Sequence, residues 1–471
     1  CMLMKPTAII TDAASVKSHI FSNEQRFTET DMANFVPAHP IAGSERSGYS
    51  AAVDDLFEGR NVILTPHSGN SAVTVGAVNL LWRELGANVL GMTSVRHDEV
   101  LAATSHLPHL LAYAIVDVLL RQEQSEDIFR YAAGGFADFS RLASSDAKMW
   151  SDIFVANSSS VEKVLDDYIR SLLEFREVIR GRDRESLKES FQRAKQTREN
   201  FISQHFQPKK QVEMTSNQRN FTVQPGGSVA GSIRVAGDKS ISHRAIILAS
   251  IANGITRVSG FLEGEDALNT VAAFREMGVT IVGPENGELT IYGVGKLGLQ
   301  APRKPLYMGN SGTAMRLLAG LLAAQNFDSV LTGDESLNLR PMNRIAQPLR
   351  EMGASIETGD GGTPPLAITG SALNGISYVM PMASAQVKSC LLLAGLYAEG
   401  ETKISEPAPC RDHTERMLQG FGYAVDVDSA QNSSSLAGGG ELAASEIDVP
   451  ADISSAAFFL VAAAITPGSD L

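Results

Sequence analysis

The chain has 471 residues with 44% apolar and 20% charged content, the balance of ordinary globular domains and length enough for about three of them. A net charge of −13 argues against nucleic acid as a bulk partner, so an anionic ligand must be small and held by local basic clusters. Three cysteines, Cys1, Cys390 and Cys410, are too few for a disulfide framework and lack zinc-ligand spacing; with no leader pattern and no run of about 18 apolar residues, this points to a cytoplasmic protein without a metal or a membrane span.

The first residues, Cys1-Met2-Leu3-Met4-Lys5, lead at once into a buried-strand pattern, so the true beginning is expected upstream. Thr7 to Thr11 reads as a short strand, and Asp12-Ala-Ala-Ser15-Val-Lys17 caps a helix. Further strands are expected in Phe35 to Glu45, Asn61 to Thr65 and Ala87 to Val95, with helical spacing from Ser71 to Leu85. Alternation of this kind implies a parallel, doubly wound sheet with ligands at strand carboxyl ends, where Ser15 and His39 lie.

The pattern then becomes all helix. His97 to Arg121 carries His106 and His109 on one face, and a loop with a short helix runs from Gly134 through Arg141 to Trp150. Ser158 to Arg180 and Asp183 to Phe201 are long amphipathic helices suited to dimer packing.

The motifs His39-Pro-Ile-Ala-Gly43-Ser-Glu45, Ser105-His106-Leu-Pro-His109, Ala133-Gly134-Gly135-Phe136 and Arg141 followed by Trp150 resemble prephenate dehydrogenases in order and approximate spacing. The resemblance covers residues 5 to 205 and implies oxidative decarboxylation of prephenate with hydride passing to NAD. It implies His39 as the general base on the ring hydroxyl and Arg141 as a bidentate carboxylate clamp. Ser15, Glu45, His106 and His109 would line the pocket, and arogenate is an alternative substrate. The chain departs from the family in having no G-x-G-x-x-G before Thr7, so NAD is not expected to bind normally.

Gln204 to Arg219 is polar and aperiodic and reads as a linker, and a strand pair is expected from Phe221. A strand-like run, Ser232 to Ala236, then leads into Gly237-Asp238-Lys239-Ser240-Ile241-Ser242-His243-Arg244 and an apolar helix. Such a helix start is an anion cradle, with backbone N–H groups and the positive dipole end joined by two bases. Similar openings recur at Gly309-Asn310-Ser311-Gly312-Thr313, Ala383-Ser384-Ala385-Gln386 and Asp452-Ile-Ser454-Ser455. Each of the first three is followed by a strand (Ile255 to Phe261, Ser329 to Thr332, Glu401 to Ser405) and a second helix ending near Gly278, Gly353 or Gly422. The unit is β-α-β-α-β-β; three are complete and the fourth stops after its helix at Leu471, which is expected to be an artificial end. Lys239, Arg244, Arg316, Arg340, Arg344, Lys388 and Arg411 fall at or near helix starts, Lys388 and Arg350 being read as solvated.

The segments Asp238 to Arg244, Gly309 to Arg316, Leu339-Arg340-Pro341-Met342, Ser384-Ala385-Gln386 and Arg411-Asp-His-Thr-Glu415 resemble EPSP synthase (3-phosphoshikimate 1-carboxyvinyltransferase), in the branch often insensitive to glyphosate. The resemblance implies that Lys239, Ser240, Arg244, Ser384, Ala385, Gln386 and Arg411 hold shikimate 3-phosphate. It implies phosphoenolpyruvate held by Lys239, Gly312, Arg340 and Gln386, with Lys239 catalytic and no cofactor. Nucleotide-sugar enolpyruvyl transferases favour Lys-Asn at the first helix, against Lys239-Ser240 here.

The expected fold class is therefore α/β, with five segments. Residues 1–95 are a partial doubly wound dinucleotide-binding sheet, 96–207 a helical dimerisation domain forming a homodimer, and 208–220 a linker. Residues 221–236 and 450–471 are part of one EPSP-synthase lobe, and 237–449 are the other lobe of three repeats. The alternative is a catalytically incomplete binding and dimerisation fragment.

Overall fold

The structure, a computed structural model, describes residues 5, 7–21, 28–43, 52–123, 125–205 and 227–471. Two compact units result: Cys1–His97 with Val229–Leu471, and Asp98–Ser228.

The chain opens with β1 (Ile10–Thr11), α1 (Ser18–Phe21) and α2 (Glu29–Asn34), the last held by a Thr28–Asp31 capping box. Strands β2 (Phe35–Val36) and β3 (Ala38–Pro40) follow, then β4 (Asn61–Leu64), α3 (Ala72–Glu84) and β5 (Asn88–Gly91). The expected alternation appears as two parallel pairs, β1 with β2 and β4 with β5. These pairs do not form one parallel sheet. Proline 37 splits the predicted Phe35–Glu45 strand, β3 runs antiparallel to β4, and β1–β2 stands as its own two-stranded sheet.

Helix α4 (Ser94–Leu101) starts where the sequence suggested a continuing strand, and passes through a π-turn (Ala102–His106) into α5 (Leu107–Leu120). By length and composition alone Ser94–Leu120 could cross a membrane, at mean hydropathy 1.3; a helix in a soluble protein's core passes the same test. The second unit continues with α6 (Ser125–Arg130), α7 (Gly134–Ser140), α8 (Ala147–Ala156), α9 (Ser158–Arg180) and α10 (Arg184–His205). Its small core gathers Leu107, Ala112, Trp150, Ile153 and Val161, and Phe175 stacks on Phe191 to join the two long helices. The linker, residues 208–220, and the strand pair expected from Phe221 lie outside the described residues, apart from the segment after residue 226.

From residue 238 the repeats appear. The first comprises α11 (Lys239–Ile251), β6 (Asn253–Ser259), α12 (Glu265–Glu276), β7 (Thr280–Glu285) and β8 (Glu288–Val294). The second comprises β9 (Leu306–Tyr307), α13 (Gly312–Ala323), β10 (Ser329–Thr332), α14 (Asn343–Glu351), β11 (Ser355–Gly359) and β12 (Thr363–Thr369). The third comprises β13 (Ser377–Val379), α15 (Ala385–Gly395), β14 (Glu401–Ser405), α16 (His413–Gly420), β15 (Asp426–Asp428) and β16 (Ser433–Ala437). The chain then reaches β17 (Glu446–Asp448) and α17 (Ile453–Ile465).

Sheet order repeats as well. The orders β9-β10-β12-β11 and β13-β14-β16-β15 each place a short leading strand parallel to the second strand. The first repeat takes its leading strand from the far end of the chain, since β17 pairs parallel to β6 in the order β17-β6-β8-β7. The run 232–236, read as that strand, forms no ladder; isolated bridges flank it, Ala230 to Asp470 and Gly237 to Ala451. Arg234 reaches Asp448 instead, and Asp452 N–H donates to the Ala236 carbonyl, so two chain crossings lie side by side. Helices α11, α13 and α15 are buried nearly all round and form the centre of a single large core. Gly320 permits their contact, because a Cβ there would stand 2.1 Å from the Cys390 carbonyl oxygen. By contrast, α17 buries none of its residues.

One join was not visible in the sequence. Strand β5 lies beside β7, Gly91 opposite Val282, so β3, β4 and β5 extend the first repeat's sheet to seven strands. Asn79 Nδ2 donates to Thr280 Oγ1 at 2.8 Å and Arg83 Nε to Gln300 Oε1 at 2.8 Å across this seam. The backbones approach so closely that a Cβ on Gly91 would lie 2.8 Å from the Ile281 carbonyl oxygen.

Candidate active site

Three of the four hydroxyl- or carboxylate-bearing helix openings in the repeats line one wall. Asp238 caps α11 by accepting from Ile241 N–H at 2.8 Å, Ser311 caps α13 from Ala314 N–H at 3.1 Å, and Ser384 caps α15 from Val387 N–H at 3.4 Å. Each cap leaves other first-turn N–H groups for a ligand. Polar bridges tie the openings together. His243 on α11 pairs through Nδ1 with Thr270 at 2.8 Å and through Nε2 with Ser311 Oγ at 3.1 Å. Burial, and next the charge of Lys239, push its pKa from 6.5 down to about 4, so the ring is neutral at pH 7.

Arg244, the next residue along α11, donates to Thr414 Oγ1 at 2.7 Å, Ser389 Oγ at 2.6 Å and the Ser240 carbonyl at 2.9 Å. It therefore ties the first helix to α15 and α16 while retaining further N–H donors. Burial first, with Arg411 adding repulsion and Glu415 opposing it, pushes its pKa down to about 10. Arg411 itself is exposed just ahead of α16. Lys239, half-exposed at the first position of α11, is ion-paired with Asp266 in the first turn of α12.

The second cluster centres on α13. Arg316 Nη1 donates to Gln386 Oε1 at 2.6 Å, and Gln386 Nε2 donates back to Thr313 Oγ1 at 3.0 Å. Arg340 reaches Asn310 Oδ1. A Cβ on Gly312 would stand 2.8 Å from Arg316 Nη1 and 3.2 Å from Arg340 Nη1. Burial first, then the charges of Arg344 and Arg340, push the Arg316 pKa down to about 10. The buried Nε of Arg316 has no partner among the described residues. Guanidinium groups crowded in this way repel one another, and an anion placed among them relieves the repulsion.

Lysine 388 departs from its sequence reading. It is not a solvated helix-end base but a buried one, 2% exposed, paired with Glu406 at 2.9 Å and Glu415 at 2.6 Å. The helix is buried on every side, so its polar residues must find partners inside. Arg350 is exposed but not merely solvated, since its Nη2 donates to the Ile356 carbonyl at 2.7 Å.

In the first half, each unit carries its own predicted residues. Ser15 is half-buried in the bend ahead of α1, and His39 is half-buried on β3 opposite Ile63. His39 Nδ1 lies 2.8 Å from Nε2 of His97, a fully buried ring that sequence reasoning passed over. Asp12 and Lys17 brace the same strand: Asp12 Oδ1 accepts from Ala38 N–H at 2.9 Å, and buried Lys17 pairs with Asp12 at 2.7 Å and donates to the Ala38 carbonyl. Glu45 lies outside the described residues. In the second unit, His106 is buried against Trp150 and 3.2 Å from Asn157 Nδ2. His109 stacks on Trp150 at 3.7 Å and donates from Nδ1 to the Ser105 carbonyl at 2.8 Å. Burial lowers its pKa, the Ser105 bond opposes this, and Arg141 lowers it further. Arg141 is exposed at the end of α7. Among the described residues no group of three His, Cys, Asp or Glu side chains could hold a metal ion.

Comparison with known proteins bears on both halves. The family model for EPSP synthase (3-phosphoshikimate 1-carboxyvinyltransferase) matches residues 223–471. Those for the prephenate dehydrogenase nucleotide-binding and dimerization domains match residues 2–91 and 93–193. A 3-phosphoshikimate 1-carboxyvinyltransferase of Hydrogenovibrio crunogenus is 63% identical over 260 residues, 54% of this chain and 58% of the relative. That of Methylococcus capsulatus is 64% identical over 252 residues, 53% of this chain and 57% of the relative. The chain thus spans little more than half the length of these relatives. An EPSP synthase structure from Acinetobacter baumannii, 63% identical, superposes with a TM-score of 0.50 over 52% of this chain and 55% of that one.

Proposed function

Since this chain belongs to the EPSP synthase family, with prephenate dehydrogenase domains preceding that match, we propose that it joins two activities of aromatic amino acid biosynthesis. The second half carries carboxyvinyl transfer from phosphoenolpyruvate to shikimate 3-phosphate. The observation behind this reading is the crowding of Arg316, Arg340 and Arg344 around the Gly312 turn, with one buried guanidinium nitrogen unpartnered among the described residues. A buried donor without an acceptor is costly, and a phosphate or carboxylate supplies one.

In this proposal Lys239, Ser240, Arg244, Ser384, Ala385, Gln386 and Arg411 hold shikimate 3-phosphate. Gly312 lets phosphoenolpyruvate approach the turn, and Lys239, Arg340 and Gln386 hold it. The methylene carbon of phosphoenolpyruvate gains a proton as the 5-hydroxyl oxygen bonds to the adjacent carbon and gives up its own. Loss of inorganic phosphate and of a methyl proton then leaves the enol ether. The wall contributes orientation and fixed positive charge where negative charge gathers.

For the first half the proposed substrate is prephenate. His39 takes the ring-hydroxyl proton, Arg141 clamps a carboxylate, and Ser15, Glu45, His106 and His109 complete the binding groups. NAD is the proposed hydride acceptor, because the matching family model is a nucleotide-binding domain. A dinucleotide cradle needs a glycine-rich turn that opens a helix. The sequence's single G-x-G-x-x-G, Gly293 to Gly298, ends β8 and opens none. Such a turn does not lie among the described residues. Association of two copies through the helical unit is proposed as well. Exposed Leu172, Leu173, Ile179 and Phe191, with a groove of about 770 Å³ between α9 and α10, offer the apolar surface.

Phosphorus-31 NMR of the full chain with shikimate 3-phosphate and phosphoenolpyruvate tests the transferase reading. A broadened or shifted shikimate 3-phosphate resonance, with inorganic phosphate appearing on turnover, is expected. Sharp, unmoved resonances of both substrates at excess protein contradict it.

A further inference from the structure

The backbone around His39 is clamped from both sides. Its strand pairs with β4, and the neighbouring Ala38 gives its N–H to Asp12 and receives the buried Lys17 ammonium on its carbonyl. The ring is fixed separately. His97, 0% exposed near the start of α4, anchors its own N–H on the Thr93 carbonyl at 2.9 Å and meets His39 edge-on at 61°. Its Nε2 stands 2.8 Å from His39 Nδ1. A contact that short between two imidazole nitrogens requires one to donate and the other to accept, so the pair fixes the tautomer of both rings.

The two directions have opposite chemical consequences. If His97 donates, His39 carries its proton on Nε2 and that edge cannot take another. If His39 donates, its Nε2 holds the lone pair, and Nδ1 is closed to any ligand by His97. We infer that His97 is a positioning residue that accepts from His39 Nδ1–H and so keeps Nε2 of His39 as the basic edge. The inference rests on the reading of His39 as the base toward a ring hydroxyl. In that step the ligand O–H bond breaks, an N–H bond forms at Nε2, and no other atom need move. The Nδ1–H···N bond then becomes charge-assisted, which stabilises the new imidazolium. His97 thereby does for His39 what a carboxylate does in the more familiar base–orienter pairs.

Histidine nitrogen-15 NMR of the labelled full chain, with His39→Asn to assign the ring, tests this directly. The expected neutral spectrum shows a protonated Nδ1 and a pyridine-type Nε2 at His39. His97→Gln, whose Oε1 can accept from the same place, keeps that pattern, whereas His97→Leu reverts His39 to the Nε2–H form that free imidazoles prefer. A protonated Nε2 in the neutral wild-type ring overturns the inference, as does a His97→Leu spectrum with the tautomer unchanged. Should His97→Leu not fold, the wild-type and His97→Gln spectra decide alone. Titration with prephenate separates the two ideas: an unmoved His39 Nε2 signal in a ring of the expected tautomer supports the positioning while removing His39 as the base.

Discussion

The Arg316 guanidinium donates to the side-chain oxygen of Gln386 at 2.6 Å, across 70 residues of sequence. The contact sets the start of α13 against the start of α15, and Gln386 closes the loop by donating to Thr313. Two helix openings from successive repeats thus share one polar rim, and the Gly312 turn lies inside it.

Glycine 312 is the most economical probe of that rim. Its φ is not positive, so alanine meets no backbone strain, and the atoms it would crowd are guanidinium tips that can swing aside. Gly312→Ala should leave stability within about 1 kcal/mol of wild type. It should weaken phosphoenolpyruvate binding by about tenfold, or about 1.4 kcal/mol, because Arg316 and Arg340 must move. Urea unfolding and calorimetric titration check the two halves of this expectation.

Lysine 388 should behave in the opposite sense. It lies between Glu406 and Glu415, all three nearly inaccessible, and removing it strands two buried carboxylates. Lys388→Ala should cost about 3–5 kcal/mol in unfolding free energy, read as a lowered denaturation midpoint.

Histidine 243 gives the lobe of three repeats a pH dependence of definite sign. The folded ring titrates at about 4 and the unfolded one at 6.5, so as pH falls the unfolded chain takes up the proton first. The associated stability is complete above pH 6.5 and lost progressively toward pH 4. At about 1.4 kcal/mol per decade this is about 3 kcal/mol. Unfolding free energy measured across that window should fall less steeply in His243→Asn than in wild type.

The seam between β5 and β7 is open to a similar test. Thr280→Val removes the acceptor of Asn79 Nδ2, and a buried donor left unpaired costs about 1–3 kcal/mol. Loss of amide protection at Val282, read by hydrogen exchange, should accompany the lowered stability.

Much of this was legible in the sequence because local chemistry writes helix starts plainly. Ser311 and Ser384 cap the helices their positions suggested, and β10, β14 and α9 begin and end where the patterns placed them. What local pattern could not report was partnership. The extended look of 232–236 gave no hint that the first repeat's leading strand would come from β17, more than two hundred residues on. Lys388 looked like any helix-end base until its helix proved buried on all faces. The His39–His97 contact spans 58 residues, and the adjoining His97 and Asp98 carried no spacing that singled them out.

The central claim is that the helix openings form one wall that grips a phosphorylated ring. Calorimetric titration of shikimate 3-phosphate, with unphosphorylated shikimate alongside, into wild type and the Lys239→Ala, Arg411→Ala double variant tests it most directly. Wild type should prefer the phosphate ester, and the double variant should bind it at least about tenfold more weakly. Equal affinity for the two ligands, or no change in the double variant, would contradict the account.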